Sequence, residues 1–308
     1  MDFFAENSSY WKNKIATFNY SNLGDSEVWK SLEQLQNVIN NRNLIENFRI
    51  SHLIDGSLNP PERPSFITSN FEELSTSKLS VKNQTKNFWQ MSRFYFYLLR
   101  HSFKNHGFIF FPVKPFLIGN PKRTSIFLRF SESNIRYSYY SALVLRIINK
   151  ESKVVLEIGG GFGYLTAILL NSKRIKKMVL IDLPINLYVT EYFLTCAGFK
   201  VARYETYESY LVGDCQVLLL TPSEIEIITN ANFFINTMSF QHMTRSDINK
   251  YFDLLNRLPL QGAYMVNRKT LRDASDVLPS NYPPLKFLKL KFKSIIFSSD
   301  HEEKIYSN

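Results

Sequence analysis

Glu157, Gly159, Gly160, Gly161, Phe162 and Gly163 stand together in VVLEIGGGFGYLT, residues 154–166, where four glycines fall within five positions between two apolar runs. A glycine turn between a strand and a helix lets a ligand approach the backbone and meet the unpaired N–H groups of the helix N-terminus. The dinucleotide fingerprint does not fit. Its third glycine would fall on Tyr164 when counted from Gly159, or on Thr166 when counted from Gly161. No Gly-Lys-Ser/Thr follows, so a phosphate-cradling loop is excluded as well. What remains is a carboxylate followed by a glycine ladder, E-x-G-x-G-x-G. The next apolar run, VLIDLP, ends on Asp182 and Leu183. A carboxylate at that place can accept hydrogen bonds from both hydroxyls of a ribose. The bland alternatives are that Glu157 is a strand-end surface residue above a tight turn, and that Asp182 caps the helix opened by Pro184.

The pattern resembles the first motif of the class I S-adenosylmethionine-dependent methyltransferases. That resemblance implies a Rossmann-like α/β sheet with helices on both faces. It also implies S-adenosyl-L-methionine as cofactor, with the loop around its methionine part, Glu157 towards the amino group and Asp182 on the ribose. A narrower resemblance rests on LEIGGGFGYL, IDLP, IGNP (118–121) and FFINTMSFQHM (233–243). Together these look like the sugar O-methyltransferases of bacterial surface-glycan gene clusters, over roughly residues 85–270. The family's Asn-x-x-Ser-hydrophobic-Gln segment is met by Asn236, Ser239 and Gln241. The resemblance places Asn236 at the cofactor and Gln241 at the acceptor. It implies a sugar or glycan precursor as substrate, acidic or phosphate-linked.

The chain departs from that family directly after Gln241, where Glu is common and His242 stands instead. Methylation of a hydroxyl needs an aligned oxygen and a group to take its proton, and a histidine near neutrality suits the second task. Packing or capping at the start of the following helix is the structural alternative for His242. Arg268, at the end of a later strand, could grip a carboxylate or phosphate on the acceptor, and a solvated surface arginine is the equal alternative. Arg136, with Tyr137, Tyr139 and Tyr140, precedes the glycine loop and reads as an acceptor contact or a packed aromatic cluster. His101 and His106 read as helix C-terminal residues. No acidic pair follows FFINT, so no metal site is expected.

These residues need a scaffold, and the chain supplies one from about residue 135 on. Helical and strand patterns alternate there: KVVLEI, KKMVLID, KVARYE, QVLLLT, ANFFINT and GAYMVNR as strands, and LKLKFKSIIFSS as a terminal extended pair. That alternation means a parallel sheet covered on both faces. The expected division is a helical part over 1–125, serving as lid, acceptor site or homodimer interface, and a methyltransferase domain over 126–308. Helices are expected at 26–48 and 81–107, a proline-rich loop at 55–65 and an extended connector at 108–123.

The 308 residues carry a formal charge of +10 without any long basic block. The charge reads as dispersed, serving solubility, an acidic substrate, an anionic membrane surface or nucleic acid. Cys196 and Cys215 read as small core hydrophobes in a reducing compartment. With no signal-peptide pattern and no apolar run long enough to span a bilayer, the expected location is cytoplasmic. Two competing functions stand beside the sugar reading. An RNA methyltransferase is less favoured, because Asn236-Thr237-Met238-Ser239 replaces the Pro-Pro-Tyr type of base-methylase motif. A cofactor-binding partner subunit without catalysis is the other.

Overall fold

The computed structural model describes residues 81–113, 132–148, 154–270, 277–297 and 300–308. The helices expected at 26–48, the loop at 55–65 and most of the connector at 108–123 lie outside them. The described residues fall into two compact units, divided between Arg146 and Ile147.

The first unit holds α1 (Val81–His106), an irregular stretch from Gly107 to Val113, and α2 (Glu132–Ile147). Met91, Phe94, Leu98 and Ser102 recur at helical spacing and form the buried face of α1. Phe111 packs tilted on Tyr95 and edge-on to Tyr139 of α2, with ring centroids 5.0 and 5.5 Å away. The aromatic cluster that includes Tyr137, Tyr139 and Tyr140 is therefore a packed one.

The second unit is built on eight strands in the order β3-β4-β2-β1-β5-β6-β8-β7. They are β1 (Val154–Ile158), β2 (Lys177–Ile181), β3 (Val201–Ala202), β4 (Val217–Leu220), β5 (Phe233–Thr237), β6 (Gly262–Arg268), β7 (Lys289–Ile296) and β8 (His301–Ser307). All pairings from β3 through β6 are parallel, and β8 runs against both β6 and β7. Helices α3 (Tyr164–Asn171), α4 (Pro184–Cys196), α5 (Tyr207–Leu211) and α6 (Arg245–Leu255) connect the parallel strands. The fold is a Rossmann-like α/β sheet.

Both faces of the sheet are buried along β1, β4, β5 and β6, which explains why these strands are largely apolar without strict alternation. Leu156, Ile158, Val179, Leu218, Phe234, Ala263 and Met265 share one core with Ile248, Phe252 and Leu255 of α6. Glu157 points to the opposite face, where Thr166 of α3 reaches it. The chain leaves β1 towards β2 and β4, then crosses back to β5 on the other side of β1. Beside that reversal, the loops after β1 and β5 meet at the C-terminal ends of the strands, where open sheets of this kind place their ligands.

Two expectations need correction. The terminal extended pair is not contained in LKLKFKSIIFSS. Its second strand is HEEKIYS, which inserts antiparallel between β6 and β7. Its charged residues are buried because they have partners there: Glu302 meets Lys293 and Lys304, and Glu303 accepts from the Tyr264 hydroxyl at 2.7 Å. Nor is Cys196 a core residue, although Cys215 packs against the core. Cys196 closes the last turn of α4 on its exposed side, and Cys215 is half-buried beside the start of β4.

Candidate functional site

The glycine loop is a tight structure held from below. Gly159 donates to the Ile181 carbonyl at 2.7 Å, which ties the end of β1 to the end of β2. Gly159, Gly161 and Gly163 all have left-handed φ, at 73°, 59° and 80°. A side chain would be strained at each of them. At Gly159 a Cβ would also stand 1.8 Å from Ser239 Oγ. The loops after β1 and β5 therefore touch at a point where only glycine fits. Asn236 closes the same seam. Its Nδ2 donates to Ile158 O at 2.9 Å, and its Oδ1 accepts from Asn267 Nδ2 at 2.8 Å.

Asp182 lies at the end of β2 and its carboxylate is engaged on both oxygens. Oδ2 accepts from Gly161 N at 2.8 Å, while Oδ1 accepts from Leu183 N at 2.8 Å and Asn186 Nδ2 at 2.5 Å. Asp182 does not cap α4, whose N-cap carries no side-chain bond; its carboxylate instead pins the glycine loop. Thr190 Oγ1 takes the carbonyl of the same Gly161 at 2.5 Å. Leu183 is the N-cap residue of α4 and packs on the apolar core. Phe162 turns inward, edge-on to Phe193 at 5.0 Å.

Glu157 is not a surface residue. It is fully buried, and Thr166 Oγ1 donates to its Oε2 at 2.5 Å. Burial, with a smaller push from the Asp182 charge and a counter-pull from Thr166, raises its carboxyl to about 7. Burial also drives the Tyr251 phenol well above its ordinary range, with Asp182 and Asp247 adding to the effect. Tyr251 on α6 therefore remains an O–H in the field of Asp182.

The segment after β5 forms a short turn, Phe240–His242, and His242 does not cap the helix that follows. That task falls to Thr244, whose hydroxyl accepts from Asp247 N at 3.2 Å. Gln241 is buried, with Oε1 accepting from Arg268 N at 2.8 Å and Nε2 lying 3.0 Å from His242 Nε2. Arg268 is 3% exposed, so it is not a solvated surface arginine. The structure therefore joins Gln241, His242 and Arg268 in one chain of bonds. Arg136 belongs to the helical unit, where it is buried on α2 with its guanidinium 6.0 Å from the Phe94 ring centroid. His101 and His106 lie in the same unit, their rings edge to face at 6.0 Å.

Several residues escaped the sequence reading. Thr166, Thr190 and Asn186 all bond directly to the motif residues. Asn186 sits four positions after Asp182 on the first turn of α4, a spacing that returns a side chain to the strand end. Its Oδ1 is buried without a hydrogen-bond partner among the described residues. A donor group such as a ribose hydroxyl fits there. The Asp182 carboxylate stands beside it, bonded to Asn186 Nδ2. The open Asn186 oxygen is compatible with the sugar of a nucleoside cofactor.

No protein-family model matches the chain, and no characterised protein matches it in sequence. Solved structures with a similar arrangement include TrmK of M. capricolum bound to S-adenosyl-homocysteine, with 11% identity, 55% of this chain, 67% of that chain and a TM-score of 0.36. Another is the methyltransferase domain of the bacterial CtHen1, with 12% identity, 56% and 97% coverage, and a TM-score of 0.39. A third is the magnesium protoporphyrin IX methyltransferase of Synechocystis, also bound to S-adenosyl-homocysteine, with 11% identity, 56% and 82% coverage, and a TM-score of 0.39.

Proposed function

We propose that this chain binds S-adenosylmethionine at the C-terminal ends of β1 and β2 and methylates a hydroxyl of a sugar or glycan precursor. One arrangement carries the cofactor half of the reading. Asp182 pins Gly161 of the glycine loop and lies beside the unsatisfied Asn186 Oδ1 at the point where the sheet reverses direction. The open Asn186 oxygen suits a ribose hydroxyl, and the Glu157 carboxyl beneath the loop offers negative charge to a cation when it ionises.

When bound, the cofactor supplies an electrophilic methyl group on a sulfonium. Methylation of an acceptor hydroxyl there would leave the hydroxyl proton to be taken up. His242 takes that proton at Nε2, after the acceptor O–H has replaced the Gln241 amide as its partner. Buried Arg268, bonded to Gln241 through its backbone, is the cation nearest to this turn in the bonding chain and the one proposed to hold an acidic or phosphate group on the acceptor. The sugar assignment rests on the Asn236, Ser239 and Gln241 segment.

Calorimetric titration with S-adenosylmethionine and S-adenosylhomocysteine tests the cofactor half. Micromolar binding is expected, about −8 kcal/mol at 1 μM, with loss in Asp182→Ala. Absence of binding by folded wild type overturns the reading. Methyl transfer to nucleotide-linked and lipid-linked sugars then tests the acceptor half.

A further inference from the structure

The net charge of this chain is not spread along it. Residues 74–131 contain ten Lys or Arg and no Asp or Glu, so the remaining 27 basic residues balance the 27 acidic ones and the whole +10 falls in this one segment. Within it, α1 displays three large aromatic side chains outward. Trp89, Phe96 and Phe103 are 62, 65 and 69% exposed, and Phe108 and Phe110 beyond the helix end are 71 and 66% exposed.

The helical period orders these residues. Successive sevens place Trp89, Phe96 and Phe103 in one row about 21 Å long, opposite the buried Met91, Phe94 and Leu98. Arg93, Arg100 and Lys104 fall in the adjoining row, all exposed. A straight line of aromatics edged by a parallel line of cations is the form of a helix lying in the face of an anionic bilayer. The rings enter the acyl boundary and the cations meet the headgroups.

Other occupants fit less well. Two copies paired through this face would oppose cation rows with no acidic residue anywhere in 81–113 to meet them. Aromatics about 10 Å apart along the axis leave successive bases of a nucleic-acid strand without a stacking partner. We propose that the exposed face of α1, continued by Phe108 and Phe110, docks this protein on anionic membrane surfaces. The proposal is independent of the reaction assigned to the second unit.

The test uses the full chain with Trp11→Phe and Trp29→Phe, which leaves Trp89 as its sole tryptophan. Phosphatidylcholine vesicles with phosphatidylglycerol should bind the protein, shift Trp89 emission to the blue and expose it to quenching by brominated acyl chains. Phosphatidylcholine alone should bind far less. Phe96→Ser with Phe103→Ser should weaken partitioning by more than about tenfold, and Arg93→Gln and Arg100→Gln by about fivefold each. Circular dichroism checks that each variant folds, and the arginine variants keep the test open if the serine variant does not. Failure to bind anionic vesicles, or binding indifferent to both sets of variants, overturns the proposal. So does tight binding of a uridine homopolymer through the same residues without vesicle binding, or a dimer in solution that protects Trp89 from quenching.

Discussion

The side-chain amide of Gln241 fixes the tautomer of His242. The backbone N–H of Arg268 can only donate, so the Gln241 oxygen must face it at 2.8 Å, and the NH₂ group must then face the imidazole. Nε2 of His242, 3.0 Å away, is consequently the acceptor, and the ring proton of the neutral side chain sits on Nδ1. A main-chain group on β6 thus dictates which nitrogen of a residue after β5 carries a lone pair.

Replacing the amide with a carboxylate should reverse this polarity. In Gln241→Glu one oxygen can still accept from Arg268 N, while the other can only accept from the ring and moves its proton to Nε2. Nitrogen NMR of labelled histidine should show the protonated nitrogen switch from Nδ1 to Nε2. An unchanged tautomer would sink the assignment. Gln241→Ala, which strands a buried N–H, should destabilise the protein by about 1–3 kcal/mol in urea unfolding.

Glu157 makes stability depend on pH in the direction opposite to an ordinary paired carboxylate. Its folded value is about 7 against an ordinary 4.5, so the folded state binds the proton more tightly than the unfolded chain does. Its contribution is fully present below the ordinary value and is lost as pH rises through about 7, by roughly 3 kcal/mol in all. Glu157→Gln, which cannot ionise, should gain on wild type between about pH 5 and about pH 8 by that order. Thr166→Val removes the one bond that favours the charged form and should steepen the loss. Parallel unfolding curves for wild type and Glu157→Gln at both pH values would refute the assignment.

What could be read from the sequence was whatever the chain writes locally. β1, β2 and β5 each centre on a short apolar run, and the glycines of 159–163 announce a turn between strand and helix. β8 was lost because HEEKIYS has the composition of a surface loop. Its burial depends on Lys293 from β7, Tyr264 from β6 and the Pro279 carbonyl, which takes the Lys304 ammonium at 2.8 Å. Local pattern carries no trace of partners that arrive from other strands.

The same limit applies within the site. Asn236 and Gln241 were singled out by the resemblance of their segment to a family motif, yet their bonds run to Ile158, Asn267 and Arg268. The resemblance marked them as important, and only the register of β1, β5 and β6 reveals that they lock the strand ends together. Asp182 was open to a helix-cap reading in the sequence, yet its carboxylate bonds to Gly161 N and Leu183 N and to no first-turn amide of α4.

Gly159 and Ser239 should couple strongly in a double-mutant cycle. Alanine at 159 brings a Cβ within 1.8 Å of Ser239 Oγ and also strains a backbone at φ 73°. Gly159→Ala alone is expected to cost more than about 3 kcal/mol. With Ser239→Gly added, the clash disappears and about 1–2 kcal/mol of backbone strain remains. Additive effects would show that the two loops do not meet in solution.

The two bonds that hold Gly161 should separate loop order from ligand recognition. Asp182 takes its N–H and Thr190 its carbonyl, so loss of either loosens the same peptide. Thr190→Val keeps the shape of a fully buried side chain and should cost about 1–2 kcal/mol while speeding amide hydrogen exchange at Gly161. Asp182→Asn should speed that exchange too, because its NH₂ group now faces donors that a carboxylate accepted. Only the second change also removes an acceptor from the proposed ribose site beside Asn186. S-adenosylhomocysteine affinity should therefore fall much further in Asp182→Asn than in Thr190→Val at comparable exchange rates. Equal losses in both variants would mean that Asp182 contributes only by shaping the loop.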